Sequence, residues 1–288
     1  MPDRRERTTV PFLTLKPGEA AEATDAAIRR VVDRGWFVLG PEVESFEREF
    51  AAASGVGHAV GLGNGTDGLF LLLKAHGIGP GDEVITTPLS AAFTALAIVM
   101  AGARPVFADI DAARLTIDPA AVRAAVGPKT AAIVPVHLYG QPADMPALAE
   151  IANRHHLALI EDCCQAHLAT CAGRPVGTFG HGGAFSFYPT KNLGSVGDGG
   201  AACTDDGQTA ERIRRLRNGG QSKPFRHDLA GVNSRLDELQ AAVLRAKLPF
   251  LEQWTARRRA LAALYQEHFA LSDPTVPVEH DPGHVYHL

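Results

Sequence analysis

No stretch of this chain approaches the roughly 18 uninterrupted apolar residues that a membrane-crossing helix requires. The first residues also lack the apolar centre of a secretory leader. Cysteine is scarce, with only Cys163, Cys164, Cys171 and Cys203 in 288 residues. So few in so long a chain do not make a disulfide framework, and reduced thiols in a cytosolic, cytoplasmic protein are expected. Their spacing matches no usual zinc site, and no metal site is expected. Basic excess is missing as well. A net charge of −4 and a pI near 6.3 argue against general nucleic-acid binding, because phosphates would find no surplus of cations. Arg4, Arg5 and Arg7 form too short a run to change that and are expected in a frayed tail. Internal repeats and low-complexity segments are absent.

What is present is the composition of a globular protein, 45% apolar and 21% charged, long enough for one large α/β domain or two smaller ones. A helix is expected over 17–34, with Ile28, Val31 and Val32 on its inner stripe and Gly35 as its stop. A second should follow Pro41, burying Val43, Phe46 and Phe50. From His58 the pattern alternates. Strands are expected at 58–62, 83–87, 105–110, 130–138, 157–161 and 201–204. Helices fall between them at 67–76, 90–101, 118–126 and 145–155, with another running to about Arg217. Such alternation gives an α/β fold whose mostly parallel sheet is flanked by helices. Ligands in that architecture gather at the carboxyl ends of strands. A long helical stretch from Leu236 to Phe269 should bend at Pro249. The final residues from Asp273 turn apolar, as though a strand were starting. The expected organisation is a tail over 1–16, a large domain over 17–235, and a long helix with the start of a smaller domain over 236–288.

Four places could carry chemistry. Lys191 sits in a glycine-rich loop after the apolar run at Ala184, Phe185 and Phe187, where burial would lower its pKa and free its amine for attack on a carbonyl. Gly65 and Thr66 open a helix directly after a strand, a natural phosphate site. Asp162 ends a strand, with Gln165 shortly after, and could pair with a protonated pyridine nitrogen. Ser186 could add a hydroxyl to the same phosphate. Taken singly, Lys191 is better read as a solvated lysine, and Gly65-Thr66 and Asp162 equally well as a plain helix cap and a capping aspartate. Taken in this order, they are the parts that bind pyridoxal 5'-phosphate (PLP). One competitor stands beside them: Gly63, Gly65 and Gly68 fit the dinucleotide fingerprint, with Asp82 as its acid, which would make the chain a nicotinamide-dependent dehydrogenase.

The motifs N-G-T-D at 64–67, V-H-L-Y-G at 136–140, E-D-C-C-Q-A-H at 161–167, F-S-F-Y-P-T-K-N-L-G at 185–194 and N-S-R-L-D-E-L-Q-A-A at 233–242 resemble the DegT/DnrJ family of nucleotide-sugar aminotransferases. The resemblance runs from about Trp36 to about Glu267 and implies the PLP-dependent transferase type I fold. It implies Lys191 as the Schiff-base lysine and proton shuttle, Asp162 on the pyridine nitrogen, and Gln165 near the ring's phenolic oxygen. It implies Gly65, Thr66 and Ser186 on the phosphate. Asn233 would reach the phosphate of a neighbouring subunit, giving a homodimer with shared sites. The substrates implied are a nucleotide-linked keto sugar and an amino donor, glutamate. Lysine at position 191, where dehydratase relatives have histidine, favours transamination, and K-N-L-G-S-V-G-D-G-G resembles members acting at C3 rather than C4. Three departures stand out. Ala91 falls where an aromatic residue usually stacks on the cofactor, with Phe93 two residues on. Leu168 replaces a usual glycine. The chain ends where the family's small C-terminal domain would begin, which leaves open a truncated, non-catalytic PLP-binding or partner-stabilising relative.

Overall fold

The computed structural model describes residues 14–269 and 279–288. The alternation read from the sequence builds one seven-stranded sheet from β1 (His58–Leu62), β2 (Glu83–Thr86), β3 (Arg104–Phe107), β4 (Thr130–Ile133), β5 (Ala158–Asp162), β6 (Gly182–Ser186) and β7 (Gly200–Thr204). Its order is β1-β7-β6-β5-β4-β2-β3. Only β7 runs against its neighbours, pairing antiparallel with β1 and β6. The inner strands are covered on both faces, so Ile160, Ala184, Phe185, Ala201 and Ala202 are all fully buried. That is why they read as continuous apolar runs rather than as alternation.

α1 (Ala21–Arg34) ends at Gly35, which takes the left-handed conformation (φ 68°). Its buried stripe differs from the expected one. Thr24, Ala27 and Val31 face inward while Val32 is exposed, because the partner is the small-residue face of a later helix around Ala242. α2 (Pro41–Ser54) buries Val43, Phe46 and Phe50 as expected. Its phenylalanines join Phe185 and Phe187 in a stacked and edge-on cluster with centroids 5.1–5.4 Å apart. The following helices are α3 (Gly65–Ala75), α4 (Phe93–Met100), α5 (Pro119–Ala125), α6 (Met145–His155) and α7 (Gly207–Leu216). α8 (Glu238–Lys247) and α9 (Leu251–Phe269) are separated by a 3-10 turn, Leu248–Phe250, at the expected bend around Pro249.

Three expected strands differ, the first being β3, which stops at Phe107 instead of running to Ile110. β4 stops at Ile133 instead of running to Leu138. Pro135 has no N–H to donate, and the chain turns through the 3-10 segment Leu138–Gly140, with Tyr139 left-handed at φ 57°. Pairing persists only as a bridge between Val136 and Asp162. At the other end, residues 279–288 form no strand. They are pinned to that same turn by Val285 N–H donating to Gly140 (3.1 Å) and His287 N–H donating to Tyr139 (2.8 Å). The basic run at 4–7 and the start of the expected last strand, 273–278, lie outside the described residues.

Candidate active site

Three chain segments converge at the carboxyl end of the sheet. Asp162 ends β5, Ser186 ends β6, and α3 begins at Gly65 after β1. Asn64 caps α3 by accepting the Asp67 N–H at 2.8 Å, so the amides of Gly65 and Thr66 have no partner within their own helix. Closeness demands glycine here. A Cβ on Gly65 would lie 2.5 Å from Cys164 Sγ and 2.9 Å from Ser186 Cβ. The result is a helix N-terminus open to an anion, with the Ser186 hydroxyl next to it. The Asp162 carboxylate lies beside this cradle, only 6% exposed. One of its oxygens accepts from the Cys164 N–H (3.1 Å) and the other from the Thr94 hydroxyl (2.8 Å).

Lys191 projects from the loop that joins β6 to β7. Burial lowers its pKa from the usual lysine value, partly opposed by Cys164 and Asp162. The loop is braced from two segments, α8 and residues 285–287. Lys247, buried at the end of α8, donates to the Gly194 carbonyl at 2.7 Å. Asn192 donates to the Val285 carbonyl (3.0 Å) and meets the His287 imidazole at 3.2 Å. Burial, with the charges of Lys191 and Arg258 adding to it, holds His287 down to about 3, so this ring is neutral. A cavity of about 380 Å³ opens beside the lysine, with Lys247, Trp254, Arg257 and Arg258 on its walls. A larger hollow of about 680 Å³ lies against α7, but none of the site residues lines it.

Behind Asp162 lies a junction of buried polar groups. Glu161 accepts from the N–H groups of Gly177 (2.7 Å) and Phe179 (2.8 Å) and from His137 Nε2 (3.0 Å). The His137 Nδ1 accepts from the Ala143 N–H, which puts the ring proton on Nε2, facing Glu161. Cys163 completes a trio whose possible ligand atoms lie within 4.8 Å of one another. Backbone amides already occupy the carboxylate and the imidazole, so Glu161 and His137 form a hydrogen-bonded brace for β5, beside a thiol that burial keeps protonated.

The remaining sequence-derived residues fall around this centre. Gln165 accepts the Tyr139 N–H at 2.6 Å, a bond made available by the left-handed turn there. Asn233 is exposed, apart from the buried cluster, bridged to Asn218. Its neighbour Ser234 donates to Asp67 (2.6 Å) and accepts from the Gly63 N–H (3.0 Å), which ties this loop to the start of α3. Leu168 has φ 60°, a conformation glycine adopts without strain, so the usual glycine has a backbone reason. Phe93 is 61% exposed and Ala91 is exposed too, so neither is buried over the acid. Sequence reading missed Thr94, Cys164, Asn192, Lys247 and His287. Thr94 lies in a segment read only for its aromatic, Cys164 acts through its backbone N–H, which its residue type does not signal, and Asn192, Lys247 and His287 act through contacts distant in sequence.

The dinucleotide fingerprint does not hold. β1 is an edge strand paired only with antiparallel β7, whereas a dinucleotide unit needs it within a parallel sheet. Asp82 is engaged with the Gly79 N–H before β2.

Residues 19–288 match the DegT/DnrJ/EryC1/StrS aminotransferase family. The chain is 49% identical, over all of its length and 77% of the relative's, to a dTDP-3-amino-3,4,6-trideoxy-alpha-D-glucose transaminase of Streptomyces venezuelae. It is 44% identical, over 98% of its length and 77% of the relative's, to a UDP-N-acetyl-3-dehydro-alpha-D-glucosamine 3-aminotransferase of Acidithiobacillus ferrooxidans. Among solved structures, S. venezuelae DesV in complex with a ketimine intermediate superposes with a TM-score of 0.93 at 50% identity, covering 97% of this chain and 76% of that one. NtdA of Bacillus subtilis, with bound cofactor PMP, gives a TM-score of 0.92 at 32% identity, covering 99% and 67%. The aminotransferases of this family are PLP-dependent. On sequence and fold together, this chain belongs to the DegT/DnrJ/EryC1/StrS aminotransferase family.

Proposed function

We propose that this chain binds PLP and transfers an amino group from glutamate to the C3 keto group of a nucleotide-linked deoxysugar. The observation that carries the reading is the convergence of an anion-ready helix start, a buried carboxylate and a desolvated lysine at one end of the sheet. These groups fit the cofactor. The open amides of Gly65 and Thr66, with the Thr66 and Ser186 hydroxyls, would hold its phosphate. Asp162 would pair with the ring nitrogen, and Gln165 would meet the ring oxygen. When bound, the group supplies an electron sink for negative charge at the carbon bearing the amino group.

The chain's own contribution is proton handling and placement. Lys191, its pKa lowered by burial, can reach its neutral form nearer neutral pH and use Nζ both to hold the aldehyde and to move a proton between the amino-bearing carbon and C4′. Arg257 and Arg258 line the cavity, the first paired with Glu19 and the second donating to the Tyr286 and His287 carbonyls, so a nucleotide diphosphate would have to share or displace these partners to reach them. The C3 preference draws on relatives from S. venezuelae, A. ferrooxidans and Aneurinibacillus thermoaerophilus, each named for a 3-amino product or 3-amino transfer. A homodimer with shared sites is supported by the exposed Asn233 and by the apolar outer face of α4, where Phe93, Leu96, Val99 and Met100 are exposed. The four unpaired cysteines suit a reducing, cytosolic setting.

The test is an absorbance spectrum after incubation with PLP, followed by turnover of a nucleotide 3-keto sugar with glutamate. Wild type should show a visible band that borohydride removes, and Lys191→Ala should show neither band nor turnover. A chain that binds without any turnover would instead be the non-catalytic relative. No band in either protein would end the PLP reading.

A further inference from the structure

Asp162 is gripped in a way that neither the fold nor the sequence motifs require. Its carboxylate accepts from the Cys164 amide on one oxygen and from Thr94 Oγ1 on the other. Thr94 in turn lies 2.9 Å from Ser90 Oγ. Either hydroxyl could donate in that contact if it stood alone. A carboxylate accepts only, so the Thr94 proton points to Asp162 and Ser90 must donate to Thr94. The three groups therefore form one oriented chain, Ser90 to Thr94 to Asp162, in which each bond polarises the next.

These hydroxyls have an obvious alternative task, which they do not perform. Serine and threonine at a helix start usually cap it. α4 begins beside both residues, yet Ala92 holds the cap position and no side chain caps the helix. Thr94 is 2% exposed and makes its hydrogen bonds to Ser90 and Asp162. Meanwhile the exposed Ala91 offers no ring to stack on a cofactor, so edge contacts such as that of Asp162 carry more of its positioning.

We propose that Thr94, backed by Ser90, is a positioning residue that fixes the plane of the Asp162 carboxylate for the pyridine nitrogen of PLP. The proposal rests on the PLP reading above. A pairing partner for a ring nitrogen must present one oxygen in the plane of the ring, and a carboxylate free to rotate would present it only part of the time. Clamping each oxygen from a different segment, α4 on one side and the chain after β5 on the other, removes that rotation.

The experiment compares Thr94→Val, Thr94→Ser and Ser90→Ala with wild type in binding pyridoxamine phosphate, read by tryptophan fluorescence of the apo-protein. The visible band formed with PLP is a second readout. Valine keeps the shape of threonine and removes only the hydroxyl. Thr94→Val should weaken pyridoxamine phosphate binding about tenfold and displace the visible band, the size expected for one lost hydrogen bond to a charged group. Thr94→Ser should restore both, and Ser90→Ala should weaken binding about two- to threefold by loosening Thr94. With the 1-deaza analogue, which lacks the ring nitrogen, wild type and Thr94→Val should bind alike. Equal pyridoxamine phosphate affinity and an unchanged band in Thr94→Val would overturn the proposal, as would a deficit that persists with the 1-deaza analogue. If Thr94→Val does not fold, Ser90→Ala decides, and wild-type affinity there overturns the idea. Failure of wild type itself to form the band would bring down the PLP reading, a result distinct from either.

Discussion

Single side chains here are explained by what approaches them. On the proposed reading Ala91 stands where relatives have a stacking ring, and both Ala91 and Phe93 are exposed. Ala91→Phe is therefore expected to tighten PLP binding about three- to tenfold, since an aromatic stacking contact adds about 0.5–1.5 kcal/mol. A fluorescence titration checks this, and an unchanged Kd would mean the ring face is served by another group. Leu168, held at φ 60° yet packed against the phenylalanine cluster, sets two effects against each other. Leu168→Gly would relieve about 1–2 kcal/mol of backbone strain and lose a comparable amount of apolar contact. Its melting temperature should stay within a few degrees of wild type. The candidate residues Lys191, Asp162, Gly65 and Ser186 could be picked out because each stands at a change of pattern, strand into loop or loop into helix. Thr94 and His287 were not, because their meaning comes from partners 68 and 95 positions away.

At the scale of elements, α2 has its N-terminus held by a residue of another helix. Glu238, fully buried at the start of α8, accepts from the N–H groups of Gly40 (3.0 Å), Glu42 (3.0 Å) and Val43 (2.8 Å). One carboxylate thus satisfies orphan donors and complements the positive end of the helix. Glu238→Ala should cost about 3 kcal/mol, measured by denaturant unfolding, because three backbone amides lose their buried carboxyl acceptor. A loss under about 1 kcal/mol would show that water replaces it easily. The helices and inner strands were readable chiefly from period; Asp118 caps the helix it was read to open, and Asp144 and Asp206 cap theirs as well. The inner stripe of α1 was readable only in part, with Val31 buried as expected and Val32 exposed. Choosing Thr24 over Val32 depends on the close fit to Ala242, and no periodicity encodes a partner's size. The early end of β4 was half visible in Pro135, but Tyr139's left-handed turn was invisible, since nothing in its residue type demands it.

For the whole molecule, acid should be the weak side. Burial holds His167 and His287 down to about 3, and His76 and His284 down to about 4, all from an ordinary 6.5. Unfolding exposes these rings, so the unfolded chain binds more protons between those values and 6.5. Stability is fully present above pH 6.5 and falls as pH drops through that window. Glu42, held near 2 chiefly by Arg30, extends the loss from 4.5 downward. The melting temperature at pH 5 should be several degrees below that at pH 7, and a flat profile would contradict the neutral burial of these rings. Assembly can be tested too. If Asn233 serves the neighbouring subunit, mixing inactive Lys191→Ala with an impaired Asn233→Ala should return roughly a quarter of wild-type activity. Half the dimers would then carry one intact site of their two. No recovery would place Asn233 in its own subunit's site.

The contacts of Asn192 with Val285 and His287 also have a meaning in time. A ribosome adding about 5–20 residues each second delivers those partners about 5–20 s after the lysine loop has been made. During synthesis the nascent site therefore has its acid, its helix start and its lysine before it has the backing that holds the lysine loop in place.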